Sequence, residues 1–271
     1  MVAQIIILIL LLLAVLYALS MMGRTGHEKL PQLRQWHYAH RGLHGDGIPE
    51  NSMAAFKLAL WKGYGIELDV HLLKDGGLAV IHDSALIRTT GAEGKIEDLT
   101  VADLEKYHLE GTFQTIPTFR EVLELFDGKA PMIIELKAEG GNHDALAETV
   151  CKELEGYEGL YCIESFDPRC LLWLKNNRPD IVRGQLSCNF VKGKPQGMPL
   201  YLQIVLANVM MNFLTRPDFV AYDFSGRKDV APVLCKYLWK LQPVSWTLRS
   251  KEDFDTAVAE EQIAIFEGFE P

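Results

Sequence analysis

Residues 66–83, IELDVHLLKDGGLAVIHD, put two carboxylates and two histidines into one short segment, and the rest of the chain can be interpreted from it. Glu67, Asp69 and His71 alternate with apolar residues, so on a β-strand all three side chains point to one face. Carboxylate oxygens on a common face can hold a divalent cation. The alternative is a surface hairpin with an acidic face.

A hairpin is predicted to follow this strand. The pair Asp75-Gly76 stands between two β-rich runs, which predicts a two-residue turn. With that turn, His82 lies directly opposite Asp69. Because directly opposed residues share a face, we expect the His82 imidazole close to the cation.

The composition narrows both fold and function. The chain has 271 residues, enough for one large α/β domain, and 48% of them are hydrophobic, enough for a sizeable core. A formal net charge of −9 argues against nucleic acid as a partner, since phosphate backbones are met by a basic face. The five cysteines are dispersed without a CxxC pair, which predicts reduced thiols rather than a zinc knuckle or a disulfide framework.

The N-terminus carries an uncharged apolar run, Ile5–Met22, about as long as a helix that crosses a bilayer. A cleaved signal peptide is the alternative, because Ala18-Leu19-Ser20 offers small residues to a peptidase. Secretory signals usually begin with basic residues, however, and Met1–Gln4 has none. We therefore expect a transmembrane anchor over residues 1–23, a linker over 24–36 and a catalytic domain over 37–271.

The charges beside the anchor predict its orientation. Arg24, Lys29 and Arg34 all follow the apolar run. Basic flanks remain on the cytoplasmic side of a membrane, so a single-pass protein with a cytoplasmic C-terminal domain is expected.

From Trp36 onward, apolar runs alternate with amphipathic stretches, the pattern of βαβ units around a parallel sheet. The predicted strands are Tyr38–Gly42, Ile66–Val70, Met132–Lys137, Leu160–Ser165, Val182–Ser187, Phe219–Phe224, Val244–Leu248 and Ala264–Glu267. The helices predicted between them are Ser52–Lys62, Thr118–Phe126, Asp144–Leu154, Pro168–Asn177, Asp229–Leu241 and Lys251–Glu260. Eight strands with helical crossovers favour a closed (β/α)8 TIM barrel, with active residues at the C-terminal ends of its strands.

Polar residues at those strand ends predict the chemistry. Glu135 and Lys137 end an apolar strand on the same face. Glu135 can complete a site of three carboxylates with Glu67 and Asp69, which suits Mg²⁺ or Ca²⁺ better than zinc. Lys137 then offers a positive charge to an anionic substrate, although a Glu–Lys ion pair is the simpler alternative.

His40 and Arg41 end the first predicted strand, before a glycine-rich loop. An arginine guanidinium matches two phosphate oxygens, and an imidazole takes and gives protons near neutral pH. With His82 at the same rim, an acid and a base can flank one phosphorus.

The segment Pro49-Glu50-Asn51-Ser52 predicts the start of a helix. Asn51 or Ser52 is expected to cap that helix. Glu50 is expected either to orient an imidazole or to join the outer shell of the metal.

Taken together, these motifs resemble those of one family. HRG, PENS, ELD, the hairpin ending in IHD, IELK, ESF and WT occur in that order and resemble the glycerophosphodiester phosphodiesterases, which are phospholipase-C-like barrels. The resemblance runs from about His40 to the C-terminus. It implies a divalent metal on Glu67, Asp69 and Glu135, an acid–base pair of His40 and His82, and phosphate contacts from Arg41 and Lys137.

The chain departs from the family pattern on the expected alcohol side of the pocket. Leu248-Arg249 follows WT, where an Asn is common, and residues 266–271 read FEGFEP instead of a Thr-Asp-Tyr-Pro ending. Trp246 of WT is expected to stack on the glycerol or the alcohol, or else to close the barrel mouth. Ser165 of ESF is expected to hydrogen-bond behind the site, since no GxSxG context marks it as a nucleophile.

Pro199–Thr215 predicts one helix with a narrow polar stripe and a wide apolar surface. It is either a buried barrel helix or a segment at the lipid interface beside the anchor.

The sequence thus predicts a membrane-anchored, metal-dependent phosphodiesterase that cleaves a glycerophosphodiester to glycerol 3-phosphate and an alcohol, with His40 as base and His82 as acid. A lysophospholipase-D-like activity on lipid in the bilayer is a second hypothesis. A membrane-bound glycerophosphate sensor without catalysis is a third, and the complete set of site residues speaks against it.

Overall fold

The computed structural model describes residues 1–192 and 197–271. Its strands are β1 (Tyr38–His40), β2 (Gly65–Leu72), β3 (Leu78–Val80), β4 (Met132–Leu136), β5 (Tyr161–Ser165), β6 (Arg183–Ser187), β7 (Phe219–Asp223), β8 (Gln242–Leu248) and β9 (Ile263–Phe266). Its α-helices are α1 (Val2–Ser20), α2 (Leu30–Leu33), α3 (Met53–Trp61), α4 (Ile87–Thr90), α5 (Phe119–Phe126), α6 (His143–Glu153), α7 (Pro168–Asn177), α8 (Leu200–Ala207), α9 (Asn212–Thr215), α10 (Val230–Tyr237) and α11 (Lys251–Ala259).

Eight of these strands close into a parallel barrel, which confirms the predicted TIM barrel. The sheet runs β1-β9-β8-β7-β6-β5-β4-β2, and β1 pairs in parallel with both β9 and β2. Each of the eight predicted barrel strands has an observed counterpart. The ninth described strand, β3, is antiparallel to β2 at the rim.

Alternation along the strands separates two kinds of surface. On β2, Leu68 and Val70 pack outward into the core beneath the surrounding helices. The interior of the barrel is apolar at the N-terminal ends of the strands, where Leu33 of α2 packs with Tyr38 and Phe219. The apolar lower interior leaves the C-terminal ends of the strands to the polar side chains.

The hairpin is present, but the predicted register is wrong by one residue. Val70 pairs with Val80 and Leu72 with Leu78, so Lys74-Asp75-Gly76 forms a three-residue loop. Gly76 supplies the left-handed conformation that such loops require, with φ of 86°. By continuation of this register, Ile81 rather than His82 lies across from Asp69.

All six helices predicted between the strands are observed, with bounds that differ from the prediction by at most four residues. They were predicted at Ser52–Lys62, Thr118–Phe126, Asp144–Leu154, Pro168–Asn177, Asp229–Leu241 and Lys251–Glu260. The further helix predicted at Pro199–Thr215 forms two helices, α8 and α9, rather than one. Val209 interrupts them with a φ of 45°. The Tyr222 hydroxyl donates to the Ala207 carbonyl at 2.9 Å and Ser187 Oγ donates to the Leu206 carbonyl at 2.7 Å, so tertiary bonds hold the end of α8.

The N-terminal helix α1 is long and apolar enough to cross a membrane, by length and composition. A signal sequence passes the same test. Residues 24–36 follow it closely along the barrel base, where they form α2 and bury Leu33.

Candidate active site

Three adjacent strands present carboxylates side by side at their C-terminal ends. In the register of the sheet, Asp69 of β2 is next to Glu135 of β4, and Glu135 is next to Glu164 of β5. Glu67, Asp69 and Glu135 are buried and offer oxygens that all lie within 4.8 Å of one another. The structure therefore brings together the three residues predicted to hold the cation.

The carboxylates of this cluster shift one another's pKa values. Burial, and then Asp69 and Glu135, raise the pKa of Glu67 well above its usual value. Burial raises the pKa of Glu135 to about 7, although Lys137 opposes it. Burial also acts on Asp69, but Lys137, together with nearby histidine and arginine, holds its pKa well below the usual range. Negative charge is thus in excess here, which is the condition that a bound cation relieves.

Glu164 is a member of this cluster that the sequence did not single out. It is buried, and burial followed by Glu135 raises its pKa well above the usual value. Its Oε2 has no hydrogen-bond partner within the described residues. The available signal was its place next to Ser165 at a strand end, on the face shared with Glu135.

Both predicted phosphate-binding residues reach the carboxylates. Lys137 Nζ lies 2.7 Å from Glu135 Oε1 and 3.1 Å from Asp69 Oδ1. Arg41 Nε lies 3.3 Å from Asp69 Oδ2. The Glu135–Lys137 ion pair expected as the simpler alternative is therefore present, within a larger cluster of opposite charges.

The turn after β1 positions Arg41 and His40. Arg41 has a φ of 55° and donates its backbone N–H to Glu67 Oε2 at 3.1 Å. Gly42 follows with a φ of 80°, and a Cβ there would come within 2.8 Å of the Ala55 Cβ. Glycine is required at this position because α3 approaches the turn closely.

His40 is held by a residue that was not predicted. Its Nδ1 lies 2.8 Å from Glu267 Oε2 at the end of β9, and its Nε2 lies 3.8 Å from Glu67 Oε2. Burial lowers the pKa of His40, and the hydrogen bond to Glu267 partly offsets this. Conversely, the His40 hydrogen bond lowers the pKa of Glu267 to about 2. An Nδ1–H that donates to Glu267 leaves Nε2 free to accept a proton.

His82 reaches the same pocket although the predicted register was wrong, because Ile81 N still donates to the Asp69 carbonyl at 3.1 Å and the chain then bends at His82. Its Nδ1 lies 2.5 Å from Asp83 Oδ1, and Asp83 is also bonded to Arg88. Burial lowers the pKa of His82, against the opposing influence of Asp69. Each imidazole therefore has a carboxylate hydrogen-bonded to Nδ1, as is common for metal-binding and proton-transferring histidines.

A buried hydrogen-bonded group lies behind His82. His71, for which the sequence suggested no partner, has Nδ1 at 2.7 Å from Glu97 Oε1. Glu97 Oε2 accepts from Ser84 Oγ at 2.7 Å, and His71 Nε2 lies 3.2 Å from the His82 carbonyl. The backbone of residues 82–84 is thereby tied to β2.

The residues at the start of α3 make different contacts, and these show which of the predicted roles each one fills. Ser52 is the cap, since its Oγ accepts from Ala55 N at 3.1 Å. Asn51 instead donates to Asp69 Oδ2 at 2.8 Å and so steadies a candidate metal ligand. Glu50 takes two arginine partners, Arg41 and Arg88, rather than an imidazole.

The other side of the pocket is apolar. Trp246 and Phe166 line it and pack edge to face with ring centroids 5.6 Å apart. Phe166 in turn packs against Phe190 at 6.0 Å. Ser165 is buried and donates to the Leu136 carbonyl at 2.7 Å, so it ties β5 to β4 behind the site.

Comparison with known proteins gives a consistent result. A sequence profile of the Glycerophosphoryl diester phosphodiesterase family matches residues 40–257. A glycerophosphodiester phosphodiesterase of Bacillus altitudinis is 42% identical over 130 residues, which cover 45% of this chain and 53% of that protein. One of Caldanaerobacter subterraneus is 38% identical over 165 residues, which cover 57% of this chain and 68% of that protein.

Two further matches differ in kind. A lysophospholipase D of Rattus norvegicus is 34% identical over 135 residues, which cover 45% of this chain and 41% of that protein. The structure of an Oleispira antarctica phosphodiesterase, solved with the product sn-glycerol-3-phosphate, superimposes with a TM-score of 0.70 at 24% identity and covers 86% of this chain and 92% of that one. The sequence matches thus span about half the length of several relatives, and the structural match supports the fold over nearly the whole barrel.

Proposed function

Because this chain belongs to the glycerophosphoryl diester phosphodiesterase family, we propose that it hydrolyses glycerophosphodiesters to glycerol 3-phosphate and an alcohol in a reaction that depends on a divalent cation. The observation that carries the proposal is the buried cluster of Glu67, Asp69 and Glu135 beside two imidazoles in one pocket.

The residues present fit a divalent cation. Four buried carboxylates, those of Glu67, Asp69, Glu135 and Glu164, face two cationic side chains, those of Arg41 and Lys137. An oxygen donor set of this kind suits Mg²⁺ or Ca²⁺. Glu67, Asp69 and Glu135 would hold the ion, and Asn51 would fix the orientation of Asp69. When bound, the ion would polarise the phosphoryl oxygens and neutralise developing negative charge.

The chain's own residues supply positioning and proton transfer. Arg41 and Lys137 bind the phosphate oxygens of the diester. His40, held by Glu267, accepts the proton of the attacking oxygen at Nε2; that oxygen is either water or the neighbouring glycerol hydroxyl. As the new P–O bond forms, the P–O bond to the alcohol breaks. Attack by water gives glycerol 3-phosphate directly, whereas attack by the glycerol hydroxyl gives a cyclic phosphate, in which water then breaks the P–O bond to that hydroxyl and so forms glycerol 3-phosphate. His82, held by Asp83, donates a proton to the departing alkoxide.

The test is release of glycerol 3-phosphate from a panel of glycerophosphodiesters, with and without chelator and with Mg²⁺ or Ca²⁺ restored. We expect release that the chelator abolishes and one of the ions restores. Binding of glycerophosphate without turnover by the metal-loaded chain would instead support the non-catalytic sensor.

Lysophospholipid is a second candidate substrate, supported by the apolar wall of Trp246, Phe166 and Phe190. A wall of aromatic rings can accommodate the acyl chain of a lysophospholipid, whereas a small head group does not need such a wall. Relative turnover of lysophosphatidylcholine and glycerophosphocholine distinguishes the two substrates.

We further propose that α1 is a retained, single-pass membrane anchor and that the barrel is cytoplasmic. Retention is supported by Met21, which is fully buried against the barrel, so a cut beside Ser20 would place a new charged terminus in the core. Basic residues after α1 support the orientation. Protease protection of the barrel in sealed membrane vesicles tests the topology, and the N-terminal residue of the purified chain tests retention.

A further inference from the structure

The face of α8 is apolar and exposed. Leu200, Tyr201 and Ile204 are 61%, 70% and 43% exposed, and their spacing puts them on one side of the helix. Asn208 continues that side one turn further, and its Oδ1 accepts a hydrogen bond of 2.6 Å from the Tyr17 hydroxyl of α1. The exposed apolar face therefore begins where α1 touches the barrel.

Helix α1 and the residues that follow it are packed tightly against the barrel and hydrogen-bonded to it. Met21 packs without exposure among residues of β7 and α10, and Trp239 Nε1 donates to the Ala18 carbonyl at 2.8 Å. Arg24 makes two hydrogen bonds to Asp218, at 2.7 and 2.8 Å, just before β7. A Cβ on Gly23 would lie 2.4 Å from the Pro217 carbonyl oxygen.

The length of α1 then fixes the depth of the barrel. Its 19 residues span about 28 Å, while the hydrocarbon core of a bilayer is about 30 Å thick. The last turn, from Tyr17, is already in contact with the barrel. For α1 to span the core, the adjoining barrel surface must therefore enter the lipid interface, and that surface includes the apolar face of α8.

The same contacts show which end of the barrel approaches the membrane. Arg24 binds at the N-terminal end of β7, whereas Tyr17 adjoins Asn189 and Val230, which follow the C-terminal ends of β6 and β7. From Arg24 back to Tyr17, the chain therefore runs along the barrel toward its active-site end. The rest of α1 extends away from the barrel at that end. The last turn of α8 is also at that end, through the Ser187–Leu206 hydrogen bond of 2.7 Å.

We propose that the exposed face of α8, formed by Leu200, Tyr201 and Ile204, docks in the interface of a lipid bilayer beside α1 and holds the barrel mouth against the membrane. The aromatic wall continues this apolar surface toward the pocket, because the exposed Val191 lines a surface depression with Ala207 and Asn208 at the end of α8, and its neighbour Phe190 packs against Phe166. A diester carried by a lipid would then enter with its acyl chain along this wall. This consequence for substrate rests on the proposed function and the proposed anchor, whereas docking itself does not require catalysis.

Depth measurement tests the docking directly. The full chain, with Cys188→Ser to remove the one partly exposed thiol among the described cysteines, is reconstituted in phosphatidylcholine vesicles and spin-labelled at Ile204→Cys or at Trp61→Cys. Trp61 is the matched control, since it is 77% exposed on α3, across the barrel from α8. We expect the label at 204 to collide with oxygen more, and with an aqueous nickel complex several-fold less, than the label at 61.

Two results would overturn the proposal. Equal nickel accessibility at both positions would mean that α8 faces water. Protection of residue 204 from both oxygen and nickel would mean that it is covered by protein, such as a second copy of the chain.

Activity separates this proposal from the proposed function. The triple variant Leu200→Ser, Tyr201→Ser, Ile204→Ser should hydrolyse glycerophosphocholine within twofold of the wild-type rate, but lysophosphatidylcholine in vesicles at least fivefold more slowly. The matched control is Trp61→Ser with Val258→Ser, which should affect neither substrate. An equal rate on the vesicle substrate would contradict docking, whereas a wild-type chain that cleaves no diester would contradict the proposed function and leave the depth measurement to decide on docking.

Discussion

The two halves of the barrel mouth differ in chemistry. Strands β1, β2 and β4, with the hairpin arm, carry the candidate metal ligands, both imidazoles and the two cationic side chains proposed to bind phosphate. From β6 to β8 the mouth is lined instead by Leu186, Trp246 and neighbouring aromatic rings. Under the proposed function, the charged half would act on the phosphorus that all glycerophosphodiesters share, and the apolar half would meet the alcohol group by which they differ.

Only the charged half needs a network of ion pairs and hydrogen bonds to hold its side chains in place. Buried carboxylates need partners, so the charged half is crossed by ion pairs and hydrogen bonds such as Asn51–Asp69 and His71–Glu97. The apolar half is held mainly by packing of its rings, as between Trp246 and Phe166. Substitutions in the charged half should therefore reduce turnover of all substrates, and those in the apolar half should alter selectivity.

The largest effect is expected from Asp69→Asn. The change removes a charge from the centre of the carboxylate cluster, and turnover of every diester should fall at least about a hundredfold. The measurement is glycerol 3-phosphate release at saturating cation. Asp127→Asn, on an exposed carboxylate far from the mouth, is the control and should stay near the wild-type rate. Less than a threefold loss for Asp69→Asn would remove Asp69 from the proposed site.

His82→Gln should also slow turnover about a hundredfold, because the departing alkoxide loses its acid. A diester with a nitrophenol leaving group needs no such proton, so the loss should shrink to about tenfold or less for that substrate. His40→Gln should be equally slow with both substrates. The reverse pattern would exchange the two roles, and exposed His108→Gln serves as the control.

Glu267→Gln tests a positioning residue at the boundary between the halves. Losing the carboxylate should lower kcat about tenfold with little change in KM, since His40 is less well oriented. The Glu267 hydrogen bond raises the pKa of His40 against burial, so its removal should lower that pKa. The acidic limb of the rate profile should therefore move to lower pH. An unmoved limb with wild-type kcat would contradict the assignment.

The smallest effect is expected in the apolar half. Trp246→Leu should raise KM for lysophosphatidylcholine about fivefold, because aromatic contact is lost, and should change kcat for glycerophosphocholine by less than twofold. Trp61→Leu, an exposed tryptophan on α3, is the matched control. A comparable loss of kcat on both substrates would show that the halves are not separable.

The sequence predicted the charged half far better than its supports. Glu67, Asp69 and Glu135 were identifiable because strand alternation and strand-end position are local properties. Glu267 was not, because its partner His40 is 227 residues away and only closure of the barrel joins them. Such a contact leaves no pattern in a single sequence.

The two errors have the same origin. The hairpin loop is set by bonds to a distant segment: Lys74 N donates to the Leu99 carbonyl at 3.0 Å and Asp75 Oδ2 accepts from Val101 N at 3.0 Å. The break after α8 is likewise held by Tyr222 and Ser187. Tertiary contacts override local turn and helix preferences at both places.

The surface that receives Tyr17 and Met21 is built from α9, β7 and α10, which belong to the last quarter of the chain. Helix α1 precedes the whole barrel in the chain, yet it can dock only after these late elements have formed. If α1 is the membrane anchor proposed above, an unfinished or misfolded barrel would be joined to it only by flexible chain, and only a completed barrel would be held at a fixed tilt and height. Attachment geometry in this protein is in that sense a late product of folding.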